Sequence, residues 1–287
     1  MSIQQKTALI TGANTGLGFE MARALAAQGT HVVVAGRNPD KVQAAIGTIG
    51  DEAPNASLEA GIVDLNSLAS VRAFAATFRA SHDRLDILIN NAGVMVPPAG
   101  RTEDGFETQF GVNFVAHFAL TGHLFALLDA TAGARVITLS SIAHRGASID
   151  FDNLRLEKPY DQWREYGQSK LADLMFALEF DRRLRATGSD VLSLAAHPGV
   201  SQTELTRNLG PVPDHITMMT PQEGAAPALV AATSPDVEGG QYWGPDGPEE
   251  RSGKPGLAAV DLAALRDGDA ERLWNWAEEA TGLRFPN

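Results

Sequence analysis

From Thr7 onward, short apolar runs rich in β-branched residues alternate with longer stretches whose apolar residues recur at helical spacing, and few other patterns restrict a chain's fold so tightly. The strand candidates are Thr7–Ile10, His31–Ala35, Leu58–Gly61, Leu85–Asn90, Arg135–Ser140, Val191–Ala196 and a short last one near Gly240–Trp243. Between them lie helix candidates at Gly16–Gln28, Pro39–Ile49, Asn66–Ser81, Gly105–Asp129 (with breaks), Asp161–Ala186 and Pro221–Thr233, and a helical tail over Asp267–Leu283. Most of the strand runs are apolar on both faces, which is how a strand reads when helices cover both sides of a parallel sheet. The expected fold is therefore α/β, a Rossmann-type doubly wound parallel sheet of about seven strands in a three-layer α/β/α arrangement.

A length of 287 residues is enough for one large domain of this kind. No repeat, low-complexity tract or linker divides the chain, so 1–287 reads as a single domain. Its composition shifts only around Asn208–Met219 and Gly239–Gly256, within a region of about 200–260 expected to shape the substrate end. There Leu209, Ile216, Met218 and Met219 suggest an apolar, adaptable pocket. The chain has no cysteine, which removes disulfides, thiolate nucleophiles and thiolate-bound metals from consideration. Its net charge of −12 argues against a nucleic-acid surface. There is no run of about eighteen apolar residues, and Met1–Lys6 is polar, so no membrane span or leader is expected and the chain reads as cytoplasmic.

The junction of the first strand and first helix reads Thr11-Gly12-Ala13-Asn14-Thr15-Gly16-Leu17-Gly18. Glycine lets the backbone turn sharply and approach a ligand, while a helix N-terminus offers unpaired N–H groups and the positive end of a dipole. Such a loop can cradle a pyrophosphate. With 28 glycines the spacing alone arises by chance roughly 0.3 times in a chain like this, so its place between strand and helix carries the weight. In a dinucleotide site the second strand should end on a ribose selector. Here it ends Gly36-Arg37-Asn38 with no carboxylate, since Asp40 falls beyond Pro39. The planar fork of Arg37 suits a 2′-phosphate, which favours NADP (NADPH) over NAD. Asp64 and Leu65 after the third strand are placed to meet the adenine, and Asn91, Ala92 and Gly93 after the fourth to meet the pyrophosphate and nicotinamide ribose.

Tyr166 and Lys170 are four apart in a helical stretch and so share a face. With three tyrosines in the chain, that pairing arises by chance only about 0.05 times. An ammonium beside a phenol favours the phenolate, the form that exchanges a proton with an alcohol or carbonyl oxygen. Ser140-Ser141 closes the fifth strand at the same sheet edge, where a hydroxyl can donate to that oxygen. Asn113 could hold a water linking Lys170 to solvent. Among the histidines, His117, His123, His144 and His197 show no ligand spacing with carboxylates, so no metal is expected. No G-x-S-x-G elbow surrounds Ser141, which removes a hydrolase reading.

Taken in order, Thr11-Gly-x-x-x-Gly-x-Gly18, Asn90-Asn-Ala-Gly93, Asn113, Ser141, Tyr166-x-x-x-Lys170 and Pro198-Gly199 resemble the short-chain dehydrogenase/reductase family over essentially the whole chain. His197-Pro198-Gly199-Val200, Ser169-Lys170-Leu171-Ala172 and the long Ser141-to-Tyr166 insertion are most similar to its retinol dehydrogenase-like and protochlorophyllide reductase-like branch. The resemblance implies catalytic Asn113, Ser141, Tyr166 and Lys170, cofactor binding at the Pro198-Gly199 turn, and nicotinamide contacts from Val200 and Thr203 beyond it. It implies hydride transfer between a nicotinamide cofactor and a carbonyl or alcohol; with the Arg37 and apolar-loop readings the expectation is NADP and a small to medium, hydrophobic substrate, and many members of the family form homodimers or homotetramers. Protochlorophyllide reductases use a cysteine proton donor, which this chain lacks, and membrane-bound retinol dehydrogenases generally carry an N-terminal anchor not expected here. The competing reading is a dinucleotide-binding regulator of the same fold without the chemistry, against which four intact candidate residues argue.

Overall fold

The computed structural model describes residues 5–203, 205 and 218–286. Its strands are β1 (Thr7–Thr11), β2 (His31–Gly36), β3 (Leu58–Ile62), β4 (Ile87–Asn90), β5 (Arg135–Leu139), β6 (Leu192–Ala196), β7 (Tyr242–Pro245) and β8 (Pro255–Leu257). The helices are α1 (Gly16–Ala27), α2 (Pro39–Glu52), α3 (Leu68–Ser81), α4 (Thr108–Phe110), α5 (Ala116–Asp129), α6 (Gln162–Thr187), α7 (Pro221–Thr233) and α8 (Asp267–Thr281). One sheet has the order β3-β2-β1-β4-β5-β6-β7-β8, parallel throughout except for the antiparallel β7–β8 pair. The chain order reverses between β1 and β4, which opens a crevice at their carboxyl ends where doubly wound sheets bind ligands.

Period-two alternation sends successive residues of each strand to opposite cores. Leu9, Val33, Ala35, Leu88 and Val136 join α3, α5, α6 and α8 in one core, which also holds Phe110, Phe114, Phe118, Phe176, Phe180 and Trp274. Ala8, Ile10, Val32, Val34, Ile87 and Ile89 join α1, α2 and α7 in the other, which is aliphatic. Both faces of β1 are fully buried, as its apolar sequence requires.

Two differences from the sequence reading have physical causes. The sheet has eight strands, and the additional one is Pro255–Leu257, whose Pro-Gly start lacks strand propensity; it forms because the free edge of β7 offers a partner. The broken helix over Gly105–Asp129 resolves into α4, a π-helical turn at Gly111–Val115 and α5. That stretch, Thr108–Asp129, is long and apolar enough to cross a membrane by length and composition, contrary to expectation; 72% of its most apolar window is buried inside the protein, in the aromatic core. Of the expected substrate segment, Leu209 and Ile216 lie outside the described residues, while Met218 and Met219 are described.

Candidate active site

Beyond β1 the chain turns at Gly12 (φ +67°) and enters α1 at Gly16 (φ +55°), left-handed conformations that side chains strain to adopt. A Cβ on Gly18 would run into the Gly12 carbonyl, so close approach of helix to loop demands glycine there. Thr15 caps α1 with no side-chain hydrogen bond, and the first turn has no acidic residue, so its N–H groups face the crevice without an internal partner from the cap. This is the cradle that a pyrophosphate fits, built from backbone and free of negative charge.

Thr11 ties the cradle to the end of β4. Its Oγ1 accepts from the backbone N–H groups of Asn91 (2.9 Å) and Ala92 (3.0 Å), and the Asn91 side chain donates to the Thr11 carbonyl at 2.7 Å. The hydroxyl proton goes to His117 Nε2 at 2.8 Å, because His117 Nδ1 lies 2.7 Å from the Asn113 carbonyl, which can only accept. Burial pushes the His117 pKa down to about 4, and this neutral tautomer is the one the two hydrogen bonds require. His117, which spacing alone gives no role, thus links the glycine loop to the π-helical turn carrying Asn113. Its position four residues after Asn113 was the available signal.

The candidate catalytic residues meet beside the cradle. A cavity of about 490 Å³ is lined by Gly12, Gly16, Gly93, Ser141, Tyr166 and Lys170 together, with Gly199 and Val200 closing the far wall. Thr203 lies across from Gly16, close enough that a Cβ on the glycine would touch it at 3.7 Å. Thr15, Leu17, Gly18, Asn91, Ala92 and Pro198 also line the cavity, whereas Asn14, Arg37, Asp64, Leu65 and Asn113 do not. Asn14 packs behind the loop, against Gly36. Arg37 is exposed at the end of β2, beside the end of β3, where Val63 donates to the Gly36 carbonyl. Asp64 accepts from Asn66 N and its backbone N–H donates to Ser70 Oγ.

Of the two serines, Ser140 is buried and donates to the Lys170 carbonyl at 2.7 Å, whereas Ser141 lines the cavity and, among the described residues, accepts only from Ala143 N at 3.2 Å, leaving its proton for a ligand. Tyr166 is 7% exposed, its ring packed with Met95 and Val96. Lys170 Nζ donates to the Leu139 carbonyl and to Asp173 Oδ2, each at 2.9 Å. Full burial alone would lower the Lys170 pKa, but Asp173 and Tyr166 outweigh it and hold the ammonium above its usual value. Burial raises Asp173 to about 7 despite that ion pair, and its Oδ1 has no partner among the described residues. Asp173 is a further site residue that no motif marks, although it lies within one turn of Lys170. Asn113 Oδ1 accepts from Val94 N (2.8 Å), and its amide donates to Val94 O (3.0 Å) and Ser169 Oγ (2.9 Å), so the side chain braces the β4 exit loop and keeps one lone pair for a water.

The Pro198-Gly199 turn is fixed by His197. Its Nδ1 accepts from Gly199 N at 3.2 Å and its Nε2 lies 2.9 Å from Glu250. Protonating Nδ1 would set N–H against N–H, in keeping with a pKa that burial lowers to about 4 despite the carboxylate.

A cradle for a dinucleotide, a buried ammonium, a tyrosine and a serine around one crevice define a nicotinamide-dependent oxidoreductase site. The family model for short chain dehydrogenases matches residues 6–213, and the chain belongs to that family. It lies in the retinol dehydrogenase-like branch: it is 39% identical over 301 residues to retinol dehydrogenase 13 of Homo sapiens, covering 100% of this chain and 87% of that one. Among solved structures it is similar to an uncharacterized protein from Mycobacterium paratuberculosis, with 38% identity, a TM-score of 0.84 and coverage of 100% and 97% of the two chains. It is also similar to the NADP active-site complex of RhlG from Pseudomonas aeruginosa, with 25% identity, a TM-score of 0.68 and coverage of 84% and 94%. The chain is an NAD(P)-binding enzyme that interconverts alcohols and carbonyls by hydride transfer.

Proposed function

We propose that this chain is an NADP-dependent oxidoreductase for an apolar alcohol or ketone. The observation that carries the reading is the convergence of Ser141, Tyr166 and Lys170 on the cavity that the glycine cradle opens. The nicotinamide dinucleotide, when bound, supplies or accepts the hydride. Gly12 to Gly18 would hold its pyrophosphate, and Arg37 its 2′-phosphate, for no other partner of the Arg37 guanidinium is seen among the described residues. In the direction of reduction Tyr166 gives its proton to the carbonyl oxygen, Ser141 donates a hydrogen bond to the same oxygen, and Lys170 keeps a positive charge beside the phenol. In oxidation Tyr166 takes the proton back. Asn113 braces the loop between them.

The outer cavity wall is Met95, Pro97, Ile142, Trp163 and Leu205, and Trp163 is 50% exposed, an apolar ring at the rim with no core to fill. Such a wall supports a hydrophobic substrate, as does the name of the retinol dehydrogenase relative. The test is consumption of NADPH and NADH with a panel of retinoid, isoprenoid and short-chain carbonyls. Turnover confined to small polar carbonyls would overturn the substrate class. Arg37→Ala should weaken NADPH binding by about tenfold or more and NADH binding by less than about twofold; an equal loss on both would overturn the 2′-phosphate role.

A further inference from the structure

His31 opens β2, Glu59 lies in the adjacent edge strand β3, and His82 follows the last residue of α3. The three converge at the amino edge of the sheet, opposite the catalytic crevice. Glu59 Oε2 lies 3.4 Å from His31 Nε2 and 3.2 Å from His82 Nε2, and the three atoms lie within 4.8 Å of one another. Ligand atoms bound at about 2.0–2.1 Å to a tetrahedral ion are roughly 3.3–3.4 Å apart, so both measured separations match edges of that polyhedron.

The far side of each ring is held by a hydrogen bond, as is usual for metal-binding histidines, and at His82 that bond also sets the tautomer. His82 Nδ1 lies 3.0 Å from the Phe78 carbonyl, which can only accept, and His31 Nδ1 lies 2.7 Å from Ser57 Oγ. His82 Nδ1 therefore carries the hydrogen, and in the neutral ring the Nε2 lone pair faces a carboxylate oxygen. Two electron-rich atoms at that distance call for a positive charge between them, which a metal ion supplies as a proton on Nε2 also would. The rings are further held by stacking, His31 on His82 and His82 on Phe78. The carbonyl end of α3 adds partial negative charge at the same place, which favours a cation there. Glu59 is 44% exposed, so water can reach a fourth position.

We propose that His31, Glu59 and His82 bind a divalent transition-metal ion of the zinc class, with water as a further ligand, clamping the edge strand β3 to β2 and to the end of α3. Two imidazoles and one carboxylate suit zinc over magnesium or calcium, which prefer oxygen. The clamp is structural, since none of the three residues lines the catalytic cavity.

The test is calorimetric titration of untagged, chelator-stripped protein with zinc chloride, alongside thermal melts and cobalt(II) absorption. One ion should bind with micromolar or tighter affinity, the melting temperature should rise with zinc, and cobalt should give the strong visible bands of a tetrahedral site. His31→Gln and His82→Gln, singly and together, should weaken binding by about 100-fold or more and abolish both signals, while NADPH turnover and metal-free melting stay near the wild type. Glu59→Gln should act in the same direction. Wild-type protein that binds no zinc below millimolar concentration overturns the proposal; so does binding that survives the double histidine variant, which would put the ion elsewhere.

Discussion

The two edges of the one sheet use polar groups in opposite ways. At the carboxyl edge the chain keeps them available: α1 begins uncapped, Gly12, Gly16 and Gly199 take left-handed conformations, and Ser141 retains its proton. At the amino edge most are spent on the chain itself: Asp86 accepts from Thr7 N and is paired with Arg84, and Arg135 donates to the Ala231 and Ser234 carbonyls, while His31 and His82 turn towards Glu59. The topology explains the contrast. In a parallel β–α sheet the helices begin at the carboxyl edge and end at the amino edge, so the first gathers free N–H donors and positive dipole ends and the second gathers carbonyls and negative ends. The first edge suits a polyanionic cofactor, the second a cation.

The sharpest way to break this contrast is at Tyr166. Tyr166→Phe should lower kcat by about 10³-fold, the range for losing a general acid, with NADPH affinity changed by less than about twofold; retained turnover in stopped-flow NADPH oxidation would remove the tyrosine from the chemistry. His82→Gln, at the other edge, should leave kcat unchanged in the same assay.

A second test concerns pH. His117 has a folded-state pKa near 4 against 6.5 when unfolded, so the unfolded chain binds the extra proton and the stability this group contributes is complete above pH 6.5 and lost as pH falls through 4. Burial lowers His197 to about 4 as well, with the same sign. Glu107 and Asp173 are shifted the other way, raised by burial to about 7, so the stability they contribute is complete below their unfolded values and lost as pH rises through 7. In the wild type the two pairs offset each other. The difference between His117→Gln and wild type isolates one of them: its destabilisation, measured by urea unfolding, should shrink by about 3 kcal/mol between pH 6.5 and pH 4. A constant difference would mean that His117 is not held neutral.

Glycines give the third comparison. Gly18→Ala forces a Cβ into the Gly12 carbonyl and should weaken NADPH binding by about 100-fold, read by fluorescence titration. Gly29, between α1 and β2 at the amino edge, has φ +82° and open space where a Cβ would stand. Gly29→Ala should therefore cost only about 1 kcal/mol of stability, from the left-handed backbone alone, with kcat unchanged. Comparable effects at the two glycines would contradict the division of labour between the edges.

Much of this was legible along the chain. Strands announce themselves as short β-branched apolar runs and helices through a period of 3.6 residues, and the glycine loop and the Tyr166–Lys170 pair are local spacings that hold in any fold containing them. The convergence of Ser141, Tyr166 and Lys170 on one cavity follows from parallel strands, because every β–α loop then leaves by the same edge. β8 was not legible, since a Pro-Gly-Leu run has no strand preference of its own and pairs only because β7 presents an edge. Nor was the link from His117 to Thr11, 106 positions away in the sequence. The same holds for His31, Glu59 and His82, which no ligand spacing connects and which meet only when β2 and β3 pair in register and α3 ends beside them. The alternation, the sheet and the cradle are written in the order of the residues, because each depends on neighbours within a few positions. Which polar side chains face each other across elements is settled by folding, because strand register and helix packing bring together residues whose separation along the chain carries no signal.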